Sequence, residues 1–501
     1  MLCYELSQCI QTYGASRYLN TLRKRFIAGL YTKEHFTVLA AQAYLLLDKP
    51  LRALTLLNSV DRIMDLGHLQ QKLLESLSND LDRPPSQKGC SLNMIVKDEA
   101  ASIAGALDSV DDCMDEIVIC DTGSTDNTCE IAALYGATVV STQWSDDFSA
   151  ARNEAIQAST RAWIFWMDAD DRLERESTAD FVRLVIEGPP QAAAFCIINE
   201  QNNTAGARFM QVRLFPRKDG LVFERRIHEQ IMFSARRLHI PFTRYPSIRI
   251  FHTGYNDPAI QKRKASRNAF LIELDLKEHP EDAALLLNYG DCKSALGHID
   301  QACEIYKRIA VNQNVLKEHP DVFIQAHFNI GCIYHKKRDM VLAKQWFANC
   351  ISLDSTRTEA YFMLGSIFED ENKIEDAFNC YLQASRIEPP VRLTATNSTR
   401  IRMESIYRIA RLMLFRGRSE DAEQLLLAAV AAFPSVVEYH ALLGQAMLRQ
   451  QKLKEAAQSF MQSLSLSATN NKDALNGMAD VYNKLNDPVK EKMFLELAEK
   501  G

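Results

Sequence analysis

"IFWMDADDRLE", residues 164–174, joins an apolar segment to a cluster of acids. An apolar run of strand-forming residues stops abruptly, and Asp168, Asp170 and Asp171 stand at its exit. A short, continuous apolar run with a polar boundary is the pattern of a strand buried on both faces. Working outward, "SLNMIVK", "DEIVICD" and "GATVVST" precede it as further short strands rich in Val and Ile. Between the four lie the helical patterns "EAASIAGALDSV", "DNTCEIAALYG" and "FSAARNEAIQAS". Alternating strand and helix predicts a parallel sheet with right-handed crossovers. "AAAFCIIN", "FMQVRLFPR" and "SIRIFHTG" follow without long helices between them, so the second half of the sheet is expected to be mixed or antiparallel.

This region, 90–257, is bounded on its N-terminal side by the Pro/Gly/Ser break "DRPPSQKG". Residues 1–82 read as a helical region, with "TVLAAQAYLLLDKPLRALTLLNSV" and "LGHLQQKLLESL" at helical spacing. A connecting helix is expected over 258–280. From 281 to 501 the chain is helical and repetitive. Gly331 and Gly365 stand 34 residues apart, as do Ala410 and Gly444. Twelve positions after the small residue comes an Ala (Ala302, Ala343, Ala377, Ala422, Ala456), and four later Tyr306, Phe347, Tyr381, Leu426 or Phe460. A 34-residue helix–turn–helix period with small residues at the crossings is the tetratricopeptide signature, in about six units. Ala41 and Ala53 keep the same spacing, which makes the N-terminal helices repeat-like.

The bulk numbers exclude several classes. The chain has 501 residues and a formal net charge of −6, so no general basic field draws it to nucleic acid. No basic-then-apolar leader opens the sequence and no apolar run is long enough for membrane insertion. Its 12 cysteines form no CxxC pair, which predicts structural thiols and a reducing, cytoplasmic location.

Parallel sheets bind ligands outside the carboxyl ends of their strands. Strand one exits into Lys97, Asp98 and Glu99, strand two into "CDTGSTDNT", and strand four into "DADD". Two acidic exits beside a Gly/Ser/Thr turn suit a nucleotide with a divalent cation, because hard cations take carboxylate and phosphate oxygens. Each stretch alone has a plainer reading. "DADD" could cap a helix N-terminus, and Asn127 with Glu130 could form a capping box. Neither a GxGxxG loop nor a GxxxxGK[ST] loop occurs.

Taken in order, "MIVKDEA", "VICDTGSTDNT", "FSAARNEAI" and "WIFWMDADD" resemble the A-type fold of family 2 glycosyltransferases over roughly residues 90–257. The resemblance implies an α/β nucleotide-sugar transferase domain with a mixed, mainly parallel sheet, flanked by the N-terminal helical region and a C-terminal all-α tetratricopeptide solenoid. It implies that Lys97, Glu99, Asp121 and Arg152 hold a nucleotide, normally UDP, with Asn153 as a structural partner. Asp168 would face the ribose, and Asp170 would hold Mn²⁺ or Mg²⁺ on the diphosphate. "RRIHEQI" and "IRIFHTGY" are similar to the "HE" and "HxGY" elements of repeat-bearing members. On that basis His228 joins the donor-binding residues, Glu229 is the base with Asp171 as the alternative, and His252 is a further metal ligand. Arg267 with Asn268, in the basic run "QKRKASRN", resembles the "RN" that follows.

The chemistry so implied is a single displacement. The metal neutralises charge on the departing UDP, a carboxylate takes the acceptor proton, and the anomeric configuration inverts. Stacked repeats commonly hold an extended peptide, so the expected acceptor is a Ser or Thr of a protein or peptide, with UDP-glucose or UDP-N-acetylglucosamine as donor. Transfer to Cys, transfer to a saccharide or lipid-linked acceptor, and an inactive repeat scaffold are the alternatives. The repeats could also join two copies of the chain as a homodimer.

Overall fold

The computed structural model describes residues 15–27, 29–47, 49–58, 89–201, 204–254, 258–390, 397–467 and 471–500. The expected helix over "LGHLQQKLLESL" and the break at 82–88 lie outside the described residues. The chain divides into two compact units near residue 305.

In the first unit one eight-stranded sheet has the order β3-β2-β1-β4-β7-β6-β8-β5. β1 (Cys90–Val96), β2 (Glu116–Asp121), β3 (Thr138–Ser141) and β4 (Trp163–Trp166) are mutually parallel, as the alternating pattern predicts. Their crossovers carry α4 (Ile103–Val110), α5 (Thr128–Ala133) and α6 (Phe148–Ala158). The register pairs Val96 with Asp121 and Asn93 with Trp166, so Lys97, Asp121 and Asp168 leave the sheet along one edge. β7 (Thr204–Pro216) runs antiparallel to both β4 and β6 (Ala192–Gln201). β8 (Phe242–His252) lies parallel to β6 and antiparallel to β5 (Asp171–Leu173). Strand residues such as Leu92, Met94, Ile119, Phe165 and Phe195 fill the core without exposure.

α1 (Ala15–Ile27), α2 (Lys33–Leu46) and α3 (Pro50–Asn58) pack together, with Ala41 and Ala53 fully buried where α2 and α3 meet. Several of their polar contacts to the sheet domain meet at Asp111, just past α4. Arg23 and Arg52 both donate to it, and Arg52 also donates to the carbonyls of Asp111 and Tyr135 at the ends of α4 and α5. Cationic side chains belong at these ends, where the last carbonyls are unsatisfied and the helix dipole is negative.

After the sheet come α9 (Pro258–Glu278), α10 (Ala283–Ala295) and α11 (Ile299–Ala310), the last of which crosses the division. Among the described residues of the second unit, helices pair as the repeat spacing predicts: Pro320–Lys336 with Met340–Leu353, Thr358–Asp370 with Ile374–Arg386, Ser398–Phe415 with Ser419–Ala432, Val437–Arg449 with Leu453–Leu466, and Lys472–Lys484 with Pro488–Lys500. The small residues sit where the helices touch. A methyl group at Gly331 would lie 2.7 Å from the ring of Phe347, and one at Gly365 would lie 2.8 Å from that of Tyr381. A side chain at either glycine would push the pair apart.

Candidate active site

The edge where the parallel strands end is tied together by its own side chains. Asp98 accepts from the Thr125 N–H at 2.7 Å, Asp98 N–H donates to Ser124 Oγ at 2.9 Å, and Glu99 N–H donates to Thr128 Oγ1 at 2.7 Å. Asp121, nearly buried, accepts from the backbone of Gly123 and Ser124 and so shapes the Gly/Ser/Thr turn. The capping-box reading fails here: the Asn127 side chain makes no cap bond, and Asp126 accepts from Thr128 N–H and Ala100 N–H instead. Lys97 is exposed at the same edge, while Glu99 is half-buried and accepts from Ser102 Oγ at 2.6 Å.

α6 is capped by Asp147, which accepts from Ala150 N–H, and this start sets which residues face the sheet. Arg152 points inward, donating to Asp168 at 2.9 Å and to Glu229 at 2.5 Å, with its guanidinium 3.9 Å from the centroid of Trp166. Asn153 brackets the backbone of Phe223, donating to its carbonyl and accepting from its N–H. A second arginine, Arg213 on β7, lies 3.8 Å from the same Trp166 ring and donates to Asp171 at 2.7 Å. Burial alone would raise the Asp168 carboxyl, but the charges of Arg152 and Arg213 outweigh it and hold it at about 2.

The helix-cap reading of "DADD" also gives way, because Asp171 opens β5 opposite His252 rather than starting a helix. Asp171 is fully buried and both of its oxygens are engaged. One meets His252 Nδ1 at 2.9 Å, and the other accepts from Arg213 and from the Asp168 N–H. Asp171 is thereby tied to both Arg213 and His252. The latter bond orients His252 so that the far ring nitrogen, Nε2, is turned elsewhere.

A methyl group built on Gly254 would lie 2.9 Å from His252 Nε2 and 3.4 Å from Asp170 Oδ2. Glycine therefore keeps open the space onto which these two atoms look. Thr253 fastens the segment by donating to the Asp170 carbonyl through both its N–H and its hydroxyl. Burial, with Asp168 and Asp171 nearby, raises the Asp170 carboxyl. Burial would lower His252, but its bond to Asp171 and the Asp170 charge raise it. Ligand atoms of Asp168, Asp171 and His252 also come within 4.8 Å of one another. Since Asp168 and Asp171 are already neutralised by arginines, Asp170 Oδ2 and His252 Nε2 are the better donors. One imidazole nitrogen beside a carboxylate could hold a divalent cation.

His228 is exposed and Glu229 is half-buried in the loop before α8 (Met232–Arg237). Arg267, on α9, stands 5.1 Å from the Phe148 ring and close enough to Glu229 to feel its charge. Arg213, Trp166 and Gly254 escaped the sequence reading. A charge inside the strand "QVRLF" and the glycine of "HTGY" were the available signals.

Residues 91–256 match the family model of glycosyl transferase family 2, and residues 324–357, 358–390 and 407–471 match tetratricopeptide repeat models. The chain carries a family 2 glycosyltransferase domain followed by tetratricopeptide repeats. A TPR repeat-containing protein of Synechococcus elongatus is 37% identical over 41% of this chain and 54% of its own length. The SPbeta prophage-derived glycosyltransferase SunS of Bacillus subtilis is 26% identical over 61% of this chain and 73% of its own. An uncharacterized glycosyltransferase of Rickettsia felis is 37% identical over 17% of this chain and 29% of its own. The chain thus spans about half the length of the cyanobacterial relative. Every site residue of the glycosyltransferase domain named above lies inside the matched segment except Arg267. No helix among the described residues is long and apolar enough to cross a membrane.

Proposed function

We propose that this protein is a metal-dependent, inverting glycosyltransferase that moves a hexose from a UDP-sugar to a Ser or Thr side chain of a protein or peptide. The observation that carries the reading is the convergence of Asp170 Oδ2 and His252 Nε2 on the space kept open by Gly254. In this reading Lys97, Glu99, Asp121, Arg152 and Asp168 bind the nucleotide half of the donor, with His228 at the rim. Asp170 and His252 hold Mn²⁺ or Mg²⁺, which as a Lewis acid would offset charge on the diphosphate. Asp171 and Arg213 keep His252 and Asp168 in place. Glu229 takes the acceptor proton; one of its oxygens is already within hydrogen-bond reach of Arg152, which fixes its side chain near the donor. For the acceptor, support comes from the tetratricopeptide repeats, since stacked helix pairs of this kind commonly hold an extended peptide.

UDP release from UDP-glucose, UDP-N-acetylglucosamine and UDP-galactose, with and without manganese, tests the reading. One donor is expected to be turned over only with metal, and Asp170→Ala is expected to cut that rate by about 10²–10³. Full turnover by Asp170→Ala would remove the metal assignment.

A further inference from the structure

The loop bearing His228 and Glu229 is closed by a backbone pair between Glu224 and Gln230, with N···O distances of 3.2 and 2.9 Å. Within it Arg225 and His228 have φ of +87° and +52°. Side chains rarely adopt this left-handed backbone, and such residues persist where the surroundings over-determine them. The surroundings do so from two sides. From the sheet domain, Phe148 N–H donates to the Arg226 carbonyl at 2.8 Å, and Ser149 Oγ donates to the Arg225 carbonyl at 2.5 Å.

The other side is helical. Asp275 on α9 is 4% exposed; it accepts from the Arg226 N–H at 2.9 Å and lies 3.6 Å from the Arg226 guanidinium. Asp282 accepts from Arg225 at 2.8 Å while also capping α10 through the N–H groups of Ala284 and Leu285. Ile227 is sealed in one apolar cluster with Ala269, Ile272 and Leu285 of the same two helices. The loop is thus gripped at Arg225, Arg226 and Ile227 in succession, immediately before the two residues that face the site.

We propose that Asp275 and Asp282 are positioning residues for glycosyl transfer: the α9–α10 hairpin sets the backbone of the 224–230 loop and thereby the place of Glu229. The inference rests on Glu229 acting as base. It predicts a selective effect. Arg152 keeps independent supports in Asp168, at 2.9 Å, and Trp166, at 3.9 Å, so donor binding should survive a loosened loop. Glu229 follows the loop, whose backbone is held at Glu224, Arg225 and Arg226.

The test uses the full chain with Asp275→Ala, Arg225→Met, Asp282→Ala and the Arg225→Met/Asp282→Ala double variant. The expected result is a kcat lowered about 10- to 100-fold with the KM for the sugar nucleotide close to wild type, because small misplacements of a reacting group are costly. The double variant should be no slower than Arg225→Met, since both changes break one link, whereas the cap lost in Asp282→Ala should lower Tm on its own. Wild-type kcat in folded variants, or kcat and KM worsening together in step with Tm, would overturn the proposal. Hydrogen exchange over residues 224–230 in Asp275→Ala reads the same link without turnover. Faster exchange there alone supports it, and unchanged exchange sinks it. If wild-type protein releases UDP from no donor, the glycosyl-transfer reading fails, and the exchange result still decides whether the hairpin holds the loop.

Discussion

Two clusters in the first unit are built from the same kinds of parts: a pair of arginines set against aromatic rings and paired with aspartate. Where the N-terminal helices meet the sheet domain, Arg23 lies 3.6 Å from the centroid of Tyr135 and Arg52 lies 4.1 Å from that of Tyr44. Asp111 accepts from both arginines and from the Tyr44 hydroxyl. Every group there is sealed, with side-chain exposures of 0–4% for the two arginines and the aspartate. At the sheet edge, Arg152 and Arg213 stack on Trp166 and neutralise Asp168 and Asp171. Beside that saturated pair stand Asp170 and His252, with side chains 18% and 32% exposed and donor atoms turned to open space. The first cluster is complete and the second is complete except where a ligand would sit. Buried charge is common to both; unspent donor capacity separates attachment from chemistry.

The largest effects should come from removing one cation in each cluster. Arg52→Met and Arg213→Met each strip a partner from a buried carboxylate, a loss of about 3–5 kcal/mol in stability. They should differ in activity: Arg52→Met keeps sugar-nucleotide turnover per folded molecule, and Arg213→Met loses it. Denaturant titration paired with UDP-release rates would show the contrast, and equal activity losses would erase it. Gly254→Ala sharpens the comparison from the other direction. It should weaken manganese binding about 10- to 100-fold, as disturbed metal surroundings typically do, while leaving Tm almost unmoved. Calorimetric titration of the metal would measure it.

The smallest effect is a pH dependence of the sealed cluster. Burial would raise the Asp111 carboxyl, but Arg23 and Arg52 outweigh it and bring it from the ordinary 3.8 to about 2. A carboxylate depressed in the folded state stabilises above its unfolded pKa and loses that contribution as pH falls through its folded one. Stability on the order of 2 kcal/mol should therefore disappear between about pH 4 and pH 2. Urea midpoints across that window should fall in wild type and stay flatter in Asp111→Asn.

Local patterns were legible in the sequence, and partners distant along the chain were not. Parallel strands, crossovers and the repeat period are local patterns, so β1 to β4 and the paired helices could be read directly. Asp170 and His252 could be named because motifs place them at strand ends. Arg213 could not, since its partners on β4 and β5 are about 40 residues away and only the antiparallel return of β7 brings them together. The surroundings of Asp171, the alternative to Glu229 as base, were out of reach for the same reason: the groups on its two oxygens, Arg213 and His252, arrive from β7 and β8. Asp111 carried no motif at all, and its arginines come from 59 and 88 residues away.

The glycines of the last repeats bear on whether this solenoid is modular. A methyl group at Gly444 would lie 2.6 Å from the Phe460 ring, and one at Gly477, in the following repeat, would lie 2.3 Å from the same ring. One side chain therefore serves as the wedge for two successive helix pairs. A chain cut between Leu466 and Lys472 would not end on a finished module but on half of a socket, with an aromatic face laid bare to water. A terminal truncation there is expected to aggregate unless Phe460 is replaced as well.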